Sequence, residues 1–287
     1  MSIDTLLTPG GSLEKFPLED LVIKLKKSVF EMGRAAGGGY IGQGLGSAEM
    51  IAALFFKKLR LDPSDPTNPD RDRFLLSTGH YAISIYAAMA ELGIIDRKLL
   101  EYYSADGSPL EMIGSETTPG LEIGGGSLGQ GLSRGIGHAL AAKLRNHTWK
   151  TYVYMSDGEM QEGQVWEAAL VAAHQQLDNL VLIIDNNGMQ VEGRINKITS
   201  LDPLAEKWES FGWNVKEIDG NNLSEVMNAL DTIPENNKPT IIISHTVMGN
   251  GISFLHDRED AHYVKWSEEN HAKALSELGG NNNEKSF

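Results

Sequence analysis

The sequence contains no cysteine. That excludes disulfides, a thiolate metal site and a cysteine nucleophile. It has no apolar run approaching the roughly 20 residues of a membrane span, so no membrane partner is expected. Basic residues are in short supply: 25 Lys and Arg face 39 Asp and Glu, for a formal net charge of −14, and they form no block. Nucleic acids and anionic lipid surfaces bind positive patches, so neither is an expected partner. The opening stretch MSIDTLLTPGGSLEKF lacks a charged segment followed by an apolar one and does not read as a signal peptide. The expectation is a cytoplasmic protein.

What is present is ordinary globular composition, 287 residues with 41% hydrophobic and 22% charged, enough for a substantial core. Glycine is abundant, 31 residues with clusters at 37–46 and 124–131, a pattern expected where backbone approaches a ligand. Residues 1–17 read as an N-terminal arm, 18–275 as one α/β domain and 276–287 as a flexible tail. Helical spacing covers LEDLVIKLKKSVFEMGRAA, and residues 47–59 read as a second helix capped by Ser47. From RFLLS onward, short aliphatic strands alternate with helices up to PTIIISH. That alternation predicts a parallel central sheet with helices on both faces, its strands buried on both sides.

Ligands of such sheets collect beyond the carboxyl ends of the strands. Three predicted strand ends carry polar residues: Ser77-Thr78-Gly79-His80, Ser156-Asp157-Gly158 and Asp185-Asn186-Asn187-Gly188. Asp157 and Asn187 are one strand–helix–strand unit apart, so right-handed crossovers place them at the same edge on neighbouring strands. One carboxylate, one carboxamide oxygen and a few carbonyls suit Mg²⁺ bound together with a phosphate. Gly158 lets backbone approach the anion. Asp-Gly and Asn-Gly are also common turn dipeptides, and a capping role for Asp157 is the structural alternative. The run Gly37-x-Gly39-x-x-Gly42 formally fits a dinucleotide fingerprint, but it follows a helical pattern and not a strand.

The stretch SDGEMQEGQVWEAALVAAHQQLDNLVLIIDNNGMQVEG resembles the thiamine diphosphate fingerprint, and more specifically the N-terminal, diphosphate-binding domain of transketolases. The resemblance continues through DRFLLSTGHYAISIYAAMA, PGLEIGGGSLGQGLSRGIGHALAAK, FGWNVKEIDG and TVMGNGISF, from about residue 20 to 270. It implies that Asp157, the Asn187 side chain and the main-chain oxygen of Met189 bind Mg²⁺ or another divalent cation such as Ca²⁺ or Mn²⁺. Gly158 would face the diphosphate, His80 would lie near the phosphates, and Gly126 and Leu128 would contact the aminopyrimidine side of the cofactor. Glu162 and Glu167 match acids that link the cofactor site to a second chain. His262 matches a histidine of the substrate channel. His80, Glu162 and His262 are therefore the implied catalytic residues. Glu159 is expected to face solvent, and His245, His256 and His271 to lie at the surface.

The implied reaction transfers a two-carbon ketol unit from a ketose to an aldehyde acceptor. The acid that activates the cofactor belongs to a pyrimidine-binding domain that no part of this sequence resembles. The resemblance thus implies a split, two-gene enzyme whose partner is a C-terminal transketolase subunit carrying the pyrimidine-binding and C-terminal domains. The expected assembly is α₂β₂, a heterotetramer with a homodimer of this chain at its core. Two departures bear on the substrate: Tyr40 stands where the family usually has a histidine, and a second histidine is missing near Met112. Ser156 and Met248 also replace the usual Gly and Lys. The two missing histidines imply an atypical ketose or acyl substrate handled by transketolase-type chemistry. The alternatives are the α-subunit of a 2-oxo acid dehydrogenase or acyloin-forming enzyme, and a non-catalytic scaffold subunit.

Overall fold

Five short runs of β-branched and aliphatic residues build the central sheet: β1 (Arg73–Leu76), β2 (Thr151–Ser156), β3 (Leu180–Asn186), β4 (Asn214–Asp219) and β5 (Thr240–His245). All are parallel, in the spatial order β1-β2-β3-β5-β4. The computed structural model describes residues 16–115, 118, 122 and 124–279. Most of the expected N-terminal arm and residues 280–287 of the expected tail lie outside the described residues.

Side chains alternate across a strand, and the two faces of β2 show what each covers. Tyr152 and Tyr154 join one apolar cluster with α1 (Leu18–Ala36), α2 (Ile41–Gly46), α3 (Ala48–Ala53) and α4 (Ala82–Glu91). Val153 and Met155 join the other, with α5 (Gly131–Arg145), α6 (Gly163–His174) and α7 (Leu204–Ser210). The sheet is therefore covered on both sides, as the alternating pattern predicts. Strand β4 is the exception to burial on both faces. It pairs only with β5, and its residues Lys216, Glu217 and Asp219 are half-buried or exposed. An edge strand with charged side chains resists pairing with a foreign strand.

Two helical expectations are corrected. The segment 47–59 is not one capped helix: α3 ends at Ala53 and continues as a wider π-helical turn over Leu54–Lys58. Ser47 makes no side-chain cap; its hydroxyl donates to Ser84 Oγ at 3.1 Å. Glu49 is buried in an ion pair with Lys26 of α1 at 2.8 Å instead of facing water in a first turn. Near the end of the chain, α8 (Leu223–Asp231) is followed, after β5, by α9 (Glu268–Glu277). Ser267 caps α9 by accepting from the Asn270 amide at 3.1 Å. Residues 276 and 277 of the expected tail are thus helical, and His271, expected at the surface, is buried where α9 packs on α1.

Helix α5 starts in contact with the end of β1. The Gly131 amide donates to Ser77 Oγ at 3.0 Å, and a Cβ at Gly131 would lie 2.3 Å from Ser77 Cβ and 2.9 Å from its Cα. Neither atom is the tip of a flexible side chain. Gly131→Ala is expected to lose about 1–3 kcal/mol by urea denaturation, the usual range for an overpacked contact; unchanged stability would contradict this packing.

Candidate cofactor site

Ser156 and Asp185 are register partners in neighbouring parallel strands. Asp157 therefore leaves the end of β2 beside the turn that leaves β3, as the spacing predicts. Asp157 is fully buried. Its Oδ1 accepts from the Gly158 amide at 2.8 Å and its Oδ2 from the Gly188 amide at 2.6 Å, so one carboxylate ties both strand ends together. Gly188 has φ +72, a left-handed conformation that glycine adopts without a Cβ penalty. The Oδ1 bond also caps the short helical turn Gly158–Gln161, so the capping alternative and the ligand geometry coexist in one side chain.

Asn187 is held by Asp185, whose part the sequence reading missed. Asn187 Nδ2 donates to Asp185 Oδ2 at 2.7 Å and to the Tyr81 hydroxyl at 2.9 Å, and Oδ1 accepts from the Met189 amide at 2.9 Å. A carboxylate only accepts, so the amide nitrogen must face Asp185, which leaves the oxygen to the Met189 amide. Asp185 also accepts from Tyr81 at 2.5 Å, Tyr154 at 3.2 Å and Thr246 at 2.9 Å. Burial raises the pKa of Asp185 against these hydrogen bonds. Burial first, and then the charge of Asp185, push Asp157 up to about 8, while the glycine amides oppose the shift.

Glu159, expected to face solvent, is fully buried. The helical turn after Asp157 folds it back beneath the strand ends. Its Oε1 accepts from Ser77 Oγ and the Gly129 amide, both at 2.7 Å. Its Oε2 accepts from Thr78 Oγ1 and, at 3.2 Å, from the Ser156 amide. One side chain thus fixes the end of β1, the end of β2 and the turn carrying Gly126 and Leu128.

The remaining expected residues fall into two groups. His80 and His262 come together, with ring centroids 5.8 Å apart, and Tyr40 packs edge-on against both at 4.7 and 5.7 Å. A two-residue antiparallel pairing, Gly38 with Lys265 and Gly39 with Val264, brings these distant segments side by side. A Cβ at Gly38 would lie 2.8 Å from the Val264 carbonyl oxygen, so the approach needs glycine. His80 Nδ1 is buried without a partner among the described residues. The second group faces outward. Gly126, Glu162 and Glu167 are exposed, and neither carboxylate has an ion-pair or hydrogen-bond partner among the described residues. Leu128 is half-buried, its carbonyl accepting from Gln164 Nε2 at 3.3 Å. His245 and His256 are exposed, as expected.

No group of three or more His, Cys, Asp or Glu suited to a metal occurs among the described residues. Asp157 and Asn187 form a different donor set, of hard oxygens, in which each oxygen has accepted one backbone hydrogen and keeps lone-pair capacity. Mg²⁺ uses such sparse protein sets and completes its shell with phosphate oxygens and water. The residues fit a divalent cation held against a diphosphate.

Two outcomes test this geometry. Glu159→Ala leaves the buried Gly129 amide without its acceptor and is expected to cost about 2–4 kcal/mol in urea denaturation; a loss under about 0.5 kcal/mol, the range of a surface change, would contradict it. His80 is pushed down to about 4, by burial first and then by His262. Between that value and the ordinary imidazole value near 6.5, the unfolded chain binds a proton that the folded chain does not. Stability is therefore lost as pH falls through this window. His80→Gln is expected to show a smaller fall in Tm over the same window than the wild type, and equal falls would contradict the assignment.

Comparison with known proteins identifies the family. Residues 21–287 match the family described as transketolase, thiamine diphosphate binding domain. The chain is 42% identical to a transketolase family protein of Sinorhizobium fredii, covering 88% of this chain and 91% of that one. It is 38% identical to the 6-deoxy-6-sulfo-D-fructose transketolase subunit of a Clostridium species, covering 88% and 92% of the two chains. With one of the subunits of the apulose-4-phosphate transketolase of Phocaeicola vulgatus it shares 36% identity over 89% and 91%. A crystal structure of transketolase from Pichia stipitis superposes with a TM-score of 0.87 at 27% identity, covering 93% of this chain and 41% of that one. None of these relatives favours the 2-oxo acid dehydrogenase alternative. The protein belongs to the transketolase family and corresponds to that family's thiamine diphosphate-binding domain.

Proposed function

We propose that this chain is the diphosphate-binding subunit of a transketolase-type enzyme that moves a two-carbon ketol unit from a ketose to an aldehyde. The observation that carries the reading is the fully buried Asp157 carboxylate, whose hydrogen bonds among the described residues come from two glycine amides, at a strand end next to the turn that carries Asn187. A carboxylate desolvated to this degree beside a second acid holds its charge only with a cation next to it. Asp157, Asn187 Oδ1 and the Met189 carbonyl would hold Mg²⁺, or Ca²⁺ or Mn²⁺ in its place. Thiamine diphosphate, when bound, supplies the carbanion chemistry that breaks and remakes the carbon–carbon bond.

The chain's own residues position and shield. Gly158, which has no side chain of its own and whose amide is held by Asp157 Oδ1 at 2.8 Å, would bring backbone close to the diphosphate. Gly126 and Leu128, tied through Gly129 to Glu159, form a fixed wall for the aminopyrimidine side. His80 and His262 are both held below the usual imidazole range by burial, so they act as neutral hydrogen-bonding groups. The exposed Glu162 and Glu167 are available to a partner chain carrying the pyrimidine-binding domain. Relatives of similar length are named as subunits, which supports a two-chain enzyme, and an α₂β₂ assembly in the cytoplasm is the arrangement we favour. No helix among the described residues is long and apolar enough to cross a membrane.

The substrate is an atypical ketose. Tyr40 occupies with an aromatic wall a place where the family usually has a histidine, and burial raises its phenol further above neutrality. Relatives named for a sulfo-sugar and for apulose 4-phosphate support such a departure. With its partner, the enzyme is expected to transfer a ketol unit only when thiamine diphosphate and a divalent cation are supplied. Asn187→Ala should raise the cation concentration needed about 10–100-fold. Turnover of xylulose 5-phosphate with ribose 5-phosphate at ordinary transketolase rates would contradict the substrate assignment, and cofactor-independent turnover would contradict the reaction.

A further inference from the structure

Gln43 lies on α2, is buried to 2% exposure, and reaches across to His262. Its Nε2 is 2.9 Å from the His262 carbonyl oxygen and 3.3 Å from His262 Nδ1. A carbonyl oxygen only accepts, so the amide nitrogen, and not the oxygen, must face His262. Its first hydrogen goes to the carbonyl and its second meets Nδ1. That ring nitrogen must then be the acceptor, and a neutral imidazole with an accepting Nδ1 carries its proton on Nε2. An imidazolium would set one N–H against another. His262 Nε2 has no hydrogen-bond partner among the described residues, and the half-buried ring lies 5.7 Å from Tyr40 and 5.8 Å from His80.

This arrangement carries a cost in stability. Gln43 Oε1 is buried with no partner among the described residues. An orphaned acceptor in the interior destabilises, and an apolar side chain of the same length would be better tolerated there. Gln43 therefore contributes orientation at the expense of stability, as groups at functional sites do.

We propose that Gln43 is a positioning residue that locks His262 as its Nε2–H tautomer, so that the pocket shared with Tyr40 and His80 presents a hydrogen-bond donor to a hydroxyl or carbonyl oxygen of the ketose. The identity of the acceptor rests on the transketolase-type reading, whereas the tautomer lock does not. An enzyme site that donates to a substrate oxygen discriminates against a donor lacking that oxygen, because the pocket's N–H is then left unpaired.

Nitrogen-15 NMR of the histidine-labelled full chain at neutral pH reads the lock directly, with His262→Asn identifying the resonances. The wild type is expected to show His262 neutral and protonated on Nε2. Gln43→Met should keep or raise Tm while lowering the ratio of Nε2–H to Nδ1–H about fivefold, the worth of one hydrogen bond. A merely structural glutamine would lower Tm and leave the ratio unchanged. In the assembled enzyme the same variant should raise KM for the ketose by up to about fivefold, the loss of donor-competent imidazole, with kcat little altered. An Nδ1–H tautomer or an imidazolium in the wild type, or an unchanged ratio in Gln43→Met, would overturn the lock whether or not the variant is stable. An altered ratio with an unchanged KM would overturn the contact with substrate. An assembled enzyme without thiamine diphosphate-dependent transfer would overturn that contact together with the functional reading, while the NMR result decides the lock alone.

Discussion

Two carboxylates, Asp157 and Asp185, end up out of solvent at the carboxyl ends of neighbouring parallel strands, and the surrounding site is organised by that electrostatic constraint. Each charge would be strongly disfavoured alone. The protein treats them differently. Asp185 is surrounded by donors from Tyr81, Tyr154, Thr246 and Asn187, which satisfy it within the chain. Among the described residues, the Asp157 carboxylate receives the amides of Gly158 and Gly188 and no side-chain donor. The first acid is a structural anchor that aims the Asn187 oxygen; the second retains capacity for a cation. Exchanging their surroundings would exchange their roles.

A second buried acid network gives this site its rigidity. Glu159 joins the β1 end, the β2 end and the turn before α5 through four hydrogen bonds, so three chain segments are set by one side chain. Ser77 takes part twice, donating to Glu159 and accepting from Gly131. The precision of the pocket therefore comes from buried polar bonds at the sheet edge, while the apolar clusters on both faces hold the sheet itself. The aromatic group of Tyr40, His80 and His262 is assembled by a backbone pairing only two residues long.

Much of this was legible in the sequence because the signals were local. Short aliphatic strands alternating with helices specified a parallel sheet, and the spacing of Asp157 and Asn187 placed them on adjacent strand ends. What was not legible depended on distant partners. Glu159 stands in a turn-like Asp-Gly-Glu run and reads as a surface acid; its partners Ser77 and Gly129 are 82 and 30 positions away. Gln43 meets a residue 219 positions along the chain, and no local pattern announces it. Helix α9 buries only His271 and Ala274, too few apolar residues to mark a helical stripe. Ser47 looks like a helix cap because Glu follows closely, but Ser84 and Lys26 lie closer in space than solvent does. The resemblance to transketolases supplied what spacing alone could not, namely the roles proposed for Gly126, Leu128, Glu162 and Glu167, which no local pattern announces.

The central claim is that the Asp157 carboxylate holds a divalent cation against a diphosphate. Calorimetric titration of thiamine diphosphate with Mg²⁺ into the complex of this chain and the proposed partner subunit, for wild type and Asp157→Asn, tests it most directly. The amide keeps the shape of the side chain and removes the charge. The account predicts saturable, Mg²⁺-dependent binding by the wild type and a loss of about 100-fold or more in the variant, the effect of removing a desolvated charge from its partner. Equal affinities in the two proteins, or wild-type binding that does not depend on the cation, would contradict it.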